Sequence, residues 1–144
     1  MIAVGAFRKA MRDIAAKKGD FTLFALFKRE NGLGNWDLVV SAPWLDGSVE
    51  ATRKLVNLVV KSIGRKHLLQ LARVETLFGH DPAVKRVIKK FSTDEGERRV
   101  EGPIELFGLE MDDAIFLRAK LPERKKAVRK APRATVAGTA RAQR

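Results

Sequence analysis

The sequence predicts an α+β fold, a mainly antiparallel sheet of about five strands carrying three helices, in the order α-β-β-α-β-α-β-β. Three observations predict it. Three segments repeat apolar residues at spacings of three and four, as one face of a helix requires. Five short stretches alternate apolar and polar residues or run continuously apolar, as strands do. Gly, Pro, Asn and Asp fall between these segments, where chain reversals need them.

The first helix reads over residues 2–18, with Val4, Phe7, Met11 and Ile14 on one stripe, Arg8, Lys9, Arg12 and Lys17 off it, and Gly19 as a stop signal. Residues 21–28 are apolar at every odd position and at two even ones, which predicts a central strand covered on both faces. The run Asn31-Gly32-Leu33-Gly34-Asn35 supplies turn residues, and Trp36, Leu38, Val40 and Ala42 then alternate with Asp37, Val39 and Ser41. Two strands around such a turn form a β-hairpin. Pro43 ends the second strand and Trp44 lies in the connection that follows.

Asp46 or Ser48 caps a second helix running to about Lys66, with Leu55, Val56, Val59 and Ile63 on its buried face and Gly64 as a break. Residues 67–77 fit a strand, with Gln70, Ala72, Val74 and Thr76 on one side, or an extension of that helix. The preceding Gly64 and the shortness of the run favour the strand. Asp81-Pro82 opens the third helix as an N-cap acid with proline in the first turn, and Val84, Val87, Ile88 and Phe91 form its apolar face. A polar loop over 92–97 leads to strands at 98–107 and 114–119, joined through Gly108 to Asp113. Pro103 puts the first of them at an edge or on a bulge.

Beyond Leu121 the chain has no aromatic residue and few large aliphatics, and Ala, Pro, Lys and Arg take over. Such a segment cannot bury enough apolar surface to offset its chain entropy. The expected organisation is a single globular domain over 1–119 and a disordered basic tail over 120–144. Charge follows the same division. Residues 120–144 carry nine basic side chains and one acidic, a net +8 of the chain's +12. The high isoelectric point is therefore largely a property of the tail.

Composition excludes several classes. The chain has no cysteine, which removes disulfide scaffolds, thiol catalysis and zinc sites built on thiolates. No apolar run approaches the roughly eighteen residues that cross a bilayer. The N-terminal charges are interleaved with apolar residues, so no secretory h-region is present, while Asp13 and the lack of serine argue against a transit peptide. A cytoplasmic location is expected.

No motif carries catalysis. Gly32-Leu33-Gly34 lacks the third glycine and the helix of a phosphate loop and reads as a hairpin turn. Ser41, Ser48 and Ser62 stand outside any Gly-x-Ser-x-Gly sequence. His67 and His80 have no metal-ligand spacing and read as loop histidines. The acids Asp94, Glu95, Glu97, Glu101, Glu105, Glu110, Asp112 and Asp113 cluster, half of the sixteen in residues 1–119. They read as a solvated loop and an outward strand face, or as a partner for the tail. The sharper alternative is a small hydrolase or nucleotide-handling enzyme holding a divalent cation at Glu110, Asp112 and Asp113. Nothing in the sequence calls for a cofactor.

The function expected is a non-enzymatic binding or adaptor domain whose tail contacts a polyanion, the backbone of RNA or DNA, without sequence readout. The residues expected to do so are Lys120, Arg124, Lys125, Lys126, Arg129, Lys130 and Arg133, with Arg141 and Arg144 beyond them. Lys85, Arg86, Lys89 and Lys90 on the third helix form a second patch. With no aromatics in the tail, its contacts are to phosphate alone. The alternatives are a protein-interaction module or homodimer with no nucleic-acid role, anchored at Trp44 if that ring is exposed, and an amphipathic helix over 2–18 touching anionic lipid.

Overall fold

A computed structural model describes residues 2–29, 35–45, 48–93 and 96–121. Its elements follow the expected order: α1 Val4–Lys18, β1 Leu23–Arg29, β2 Trp36–Ser41, α2 Val49–Leu68, β3 Leu71–Thr76, α3 Pro82–Lys90, β4 Arg98–Leu106 and β5 Leu109–Ala119. The strands form one five-stranded sheet ordered β3-β2-β1-β5-β4. Every pairing is antiparallel except β2 with β3, which α2 joins as a crossover.

β1 lies between β2 and β5, and this position explains its continuous apolar run. Phe24 and Leu26 face a core shared with α1 and α2, whereas Leu23, Ala25 and Phe27 face a second core shared with α3. All five are fully or almost fully buried. Each of the larger ones contributes roughly 1.5–3 kcal/mol by leaving water.

α1 buries Phe7, Ala10, Met11 and Ile14 in the first core. The stripe that a lipid-binding helix would need is therefore occupied by the sheet, which corrects the expectation of a membrane-touching α1. Gly19, at φ 112°, leads the chain out of the helix beneath Trp44. Trp44 is half-buried, donates its Nε1–H to the Gly19 carbonyl at 2.9 Å and meets Phe21 edge-on at 5.2 Å between ring centroids. Its indole thus packs on the α1–β1 connection.

Ser48 is the N-cap of α2, its hydroxyl accepting from the Ala51 amide at 3.0 Å; Asp46, the other candidate, lies outside the described residues. Leu55, Val59 and Ile63 are buried as expected. Val56 is half-buried at the side, and Leu58 takes the fourth place against the core. Gly64, at φ 82°, kinks the helix, and helical turns resume as far as Leu68. The ambiguous segment 67–77 therefore gives His67 and Leu68 to the end of α2 and Leu71–Thr76 to β3, with a turn at Leu69 and Gln70 between them.

α3 is capped by Asp81, whose carboxylate accepts from the Ala83 amide at 2.9 Å, with Pro82 in the first turn. It seats Val84, Val87, Ile88 and the following Phe91 in the second core, where Phe91 stacks on Phe116 at 4.8 Å.

The β4–β5 connection differs from the sequence expectation. It is two residues long, Phe107 at φ 54° and Gly108 at φ 78°, both left-handed, as the tight hairpin turns that match strand twist require. β5 starts at Leu109, so Glu110, Asp112 and Asp113 belong to a strand and not to a loop. β4 is an edge strand, and its register slips by one residue between Glu101 and Ile104, around a cis Gly102–Pro103 bond. Both expectations from Pro103 therefore hold. Gly102 lies against the β5 backbone, where a Cβ would collide with the Met111 and Asp112 carbonyls.

Candidate polyanion-binding surface around α3

α3 presents four cations because its amphipathic sequence leaves them no other side: with Val84, Val87 and Ile88 committed to the core, Lys85, Arg86, Lys89 and Lys90 are exposed. Among the described residues none of the four is in an ion pair. They divide into two pairs, each one turn apart. Lys85 and Lys89 border a groove of about 610 Å³. Arg86 and Lys90 border a cleft of about 690 Å³ on the other flank of the helix. The Lys90 ammonium also lies over the Phe91 ring, 5.5 Å from its centroid, with the Arg98 guanidinium 5.9 Å from the same ring.

The two concavities differ in charge. The cleft lies over the open part of the sheet and mixes Arg29, Arg86 and Lys90 with Asp37, Glu75, Asp81 and Glu105. Its buried charge is already matched, since Asp37, only 5% exposed, is flanked by Arg29 at 2.8 Å and Arg73 at 3.8 Å. The Arg29 Nε–H does not point along its contact with Asp37, so the attraction there is Coulombic and not a hydrogen bond. In the groove, Lys85 and Lys89 meet no carboxylate among the described lining residues. The groove therefore offers an anion cations with no acidic neighbour among its described lining residues, whereas the cleft sets its cations among carboxylates.

The groove opens at one rim of the sheet. Thr22 enters it ahead of β1, Ala42 and Pro43 after β2, Phe78 and His80 after β3, and Leu121 after β5. The rim is firmly tied. The Lys120 amide donates to the Thr22 carbonyl at 2.9 Å, the Thr22 hydroxyl to the Ser41 carbonyl at 3.0 Å, and the Ser41 hydroxyl to the Leu77 carbonyl at 2.8 Å. Of the expected tail cations, Lys120 is placed here. Arg124, Lys125, Lys126, Arg129, Lys130 and Arg133 lie outside the described residues, as do Arg141 and Arg144.

The acidic segment does not gather at one point. Asp113 accepts from Arg99 Nη2 at 2.8 Å and from the Ala114 amide at 2.9 Å. This partner holds the Arg99 guanidinium even more firmly protonated than usual. Glu97 pairs with Arg8 at 3.2 Å, and Glu105 faces Glu110 across the β4–β5 ladder, both exposed. Among the described residues no group of three or more His, Cys, Asp or Glu side chains is placed to hold a metal ion. Asp94 and Glu95 lie outside those residues. No described helix is long and apolar enough to cross a membrane.

Sequence reasoning passed over Phe78 and took His80 for an ordinary loop histidine. The signal available was local: an aromatic and a histidine two apart, around Gly79, directly before the Asp81-Pro82 start of a cationic helix. Compared with known proteins, the chain matches no family model, no curated protein and no solved structure.

Proposed function

We propose that this chain is a non-enzymatic binding domain that holds a polyanion, the backbone of RNA or DNA, through the α3 cations and those of residues 120–144, without sequence readout. One observation carries it: Leu121, the last described residue, lines the same groove as Lys85 and Lys89. The chain thus leads into the segment that carries most of the net charge from the bank of a groove whose lysines have no acidic partner among the described residues. Neutralising phosphates releases their counterions, so the binding is salt-dependent.

A filter-binding titration on duplex DNA tests this. With about six phosphates engaged, affinity falls about 10³-fold between roughly 50 and 200 mM salt. Replacing Arg124, Lys125, Lys126, Arg129, Lys130 and Arg133 together by Gln flattens that dependence. An unchanged slope removes the tail from the interface, and absence of binding by the native chain at the lower salt rejects the function.

A further inference from the structure

We propose that the groove beside α3 takes single-stranded nucleic acid, with the Phe78 and His80 rings as a stacking platform for an unpaired base and Lys85 and Lys89 as contacts to its phosphates. This rests on the polyanion function above and narrows it to a class of ligand.

Phe78 is 51% exposed although it directly follows Leu77, whose amide is bonded to the Val40 carbonyl at 2.9 Å. A single exposed aromatic is ordinary on a protein surface. This one has three further properties. His80, also exposed, lies beside it in tilted contact, ring centroids 5.4 Å apart and planes 42° from parallel, so two aromatic rings are accessible at one place. The turn that carries them is pinned at both ends, by the β2–β3 ladder before it and by the Asp81 amide bond to the Phe78 carbonyl at 3.2 Å, with Asp81 itself capping α3. The platform is therefore pre-organised, and ordering it costs little on binding.

The third property is the company the rings keep. They share the groove with apolar Pro43, Leu45 and Leu121 and with the ammonium groups of Lys85 and Lys89, which stand one helical turn apart on its bank. An apolar and aromatic floor beside cations is matched by a ligand with π-faces on one side and negative charge on the other. A single strand offers both at every nucleotide, whereas in a duplex the base faces are occupied by their neighbours. The headgroups of an anionic bilayer and the carboxylates of an acidic peptide satisfy the lysines but bring no π-face to stack on the rings.

Fluorescence anisotropy with the full chain separates these cases. The probes are a single-stranded oligouridylate of about 12 nucleotides, within the usual site size, an abasic ribose-phosphate oligomer of equal length, and a duplex. The native chain binds the base-bearing strand about 5-fold or more tighter than the abasic one, the least that one stacked base contributes. Phe78→Ala abolishes that discrimination while leaving abasic binding, the salt slope and the melting temperature unchanged. Phe78→Trp restores it. Lys85→Ala with Lys89→Ala weakens all three probes and lowers the salt slope by up to about two. Equal binding of base-bearing and abasic strands by the native chain, or full discrimination by Phe78→Ala, overturns the platform and leaves the polyanion function standing. Failure of the native chain to bind any of the three overturns both. Phosphatidylserine vesicles that lose binding in Phe78→Ala, with single-strand affinity intact, assign the ring to a membrane and overturn the inference.

Discussion

The two faces of the sheet use the same strands and are finished differently. Along β1 the apolar residues are shared almost evenly, Phe24 and Leu26 to one side, Leu23, Ala25 and Phe27 to the other. The helices make the difference. One face is covered by α1 and α2, of 15 and 20 residues, the other by α3 alone, of nine. At 1.5 Å per residue a helix like α3 spans about 13 Å and one like α2 about 30 Å. What α3 leaves uncovered becomes the cleft and the groove along its flanks. The fully covered face supplies cohesion, and the partly covered face supplies the cleft and the groove that flank α3.

The largest test of this contrast is a pair of truncations. Phe24→Ala, in the fully covered core, is expected to cost about 3–5 kcal/mol in urea unfolding. Ile88→Ala in α3 is expected to cost about 2 kcal/mol, the low end for such a change, because α3 can settle toward the open cleft and shrink the cavity. Equal costs would mean that the thinner face is packed as rigidly as the other. Gly102→Ala sharpens the comparison at the β4 edge: the added methyl has no room against the β5 backbone, and a loss of about 1–3 kcal/mol is expected by chemical denaturation. Native stability in that variant would show that β4 can lift from β5 without penalty.

Asp81→Ala is expected to cost about 1 kcal/mol by removing the cap. Hydrogen exchange should quicken in α3 and leave α1 and α2 protected, whereas uniform quickening would mean that the two faces unfold as one unit. The smallest effect belongs to Asp13, which joins α1 to α2. Its carboxyl is held below the ordinary carboxylate range, first by the hydrogen bond from Lys9 and then by that from Ser62. A lowered value means that the charged form is favoured on folding. The contribution is present above the unfolded value and is lost as pH falls through the folded one. The melting difference between the native chain and Asp13→Asn should therefore shrink as pH falls into and below the ordinary carboxylate range. A constant difference would remove the link.

Much of the fold was legible because local chemistry and tertiary position agree. Asp81-Pro82, Ser48, Gly19 and Pro103 each do what their backbone chemistry dictates, and the doubled apolar pattern of β1 announced its central place. The start of β5 was not legible. Three carboxylates within four residues look like a loop, yet an outer neighbour as exposed as β4 lets Glu110 and Asp112 stay in water inside a strand. The turn before it places Phe107 in a left-handed conformation that aromatic residues seldom signal. The α3 cations were readable from periodicity. The groove was not, because Thr22, Pro43, Phe78 and Leu121 meet only once the sheet order is known.

The two outer strands also bear on how copies of this chain behave at high concentration. β4 carries a proline with no amide hydrogen, a register slip and the charges of Arg98, Glu101 and Glu105, and β3 is six residues long with Arg73 and Glu75 upon it. Neither rim offers a long, flat row of free donors and acceptors that would template a strand from a neighbouring molecule. Among the described residues, sheet-to-sheet polymerisation is thereby discouraged at both edges of the sheet.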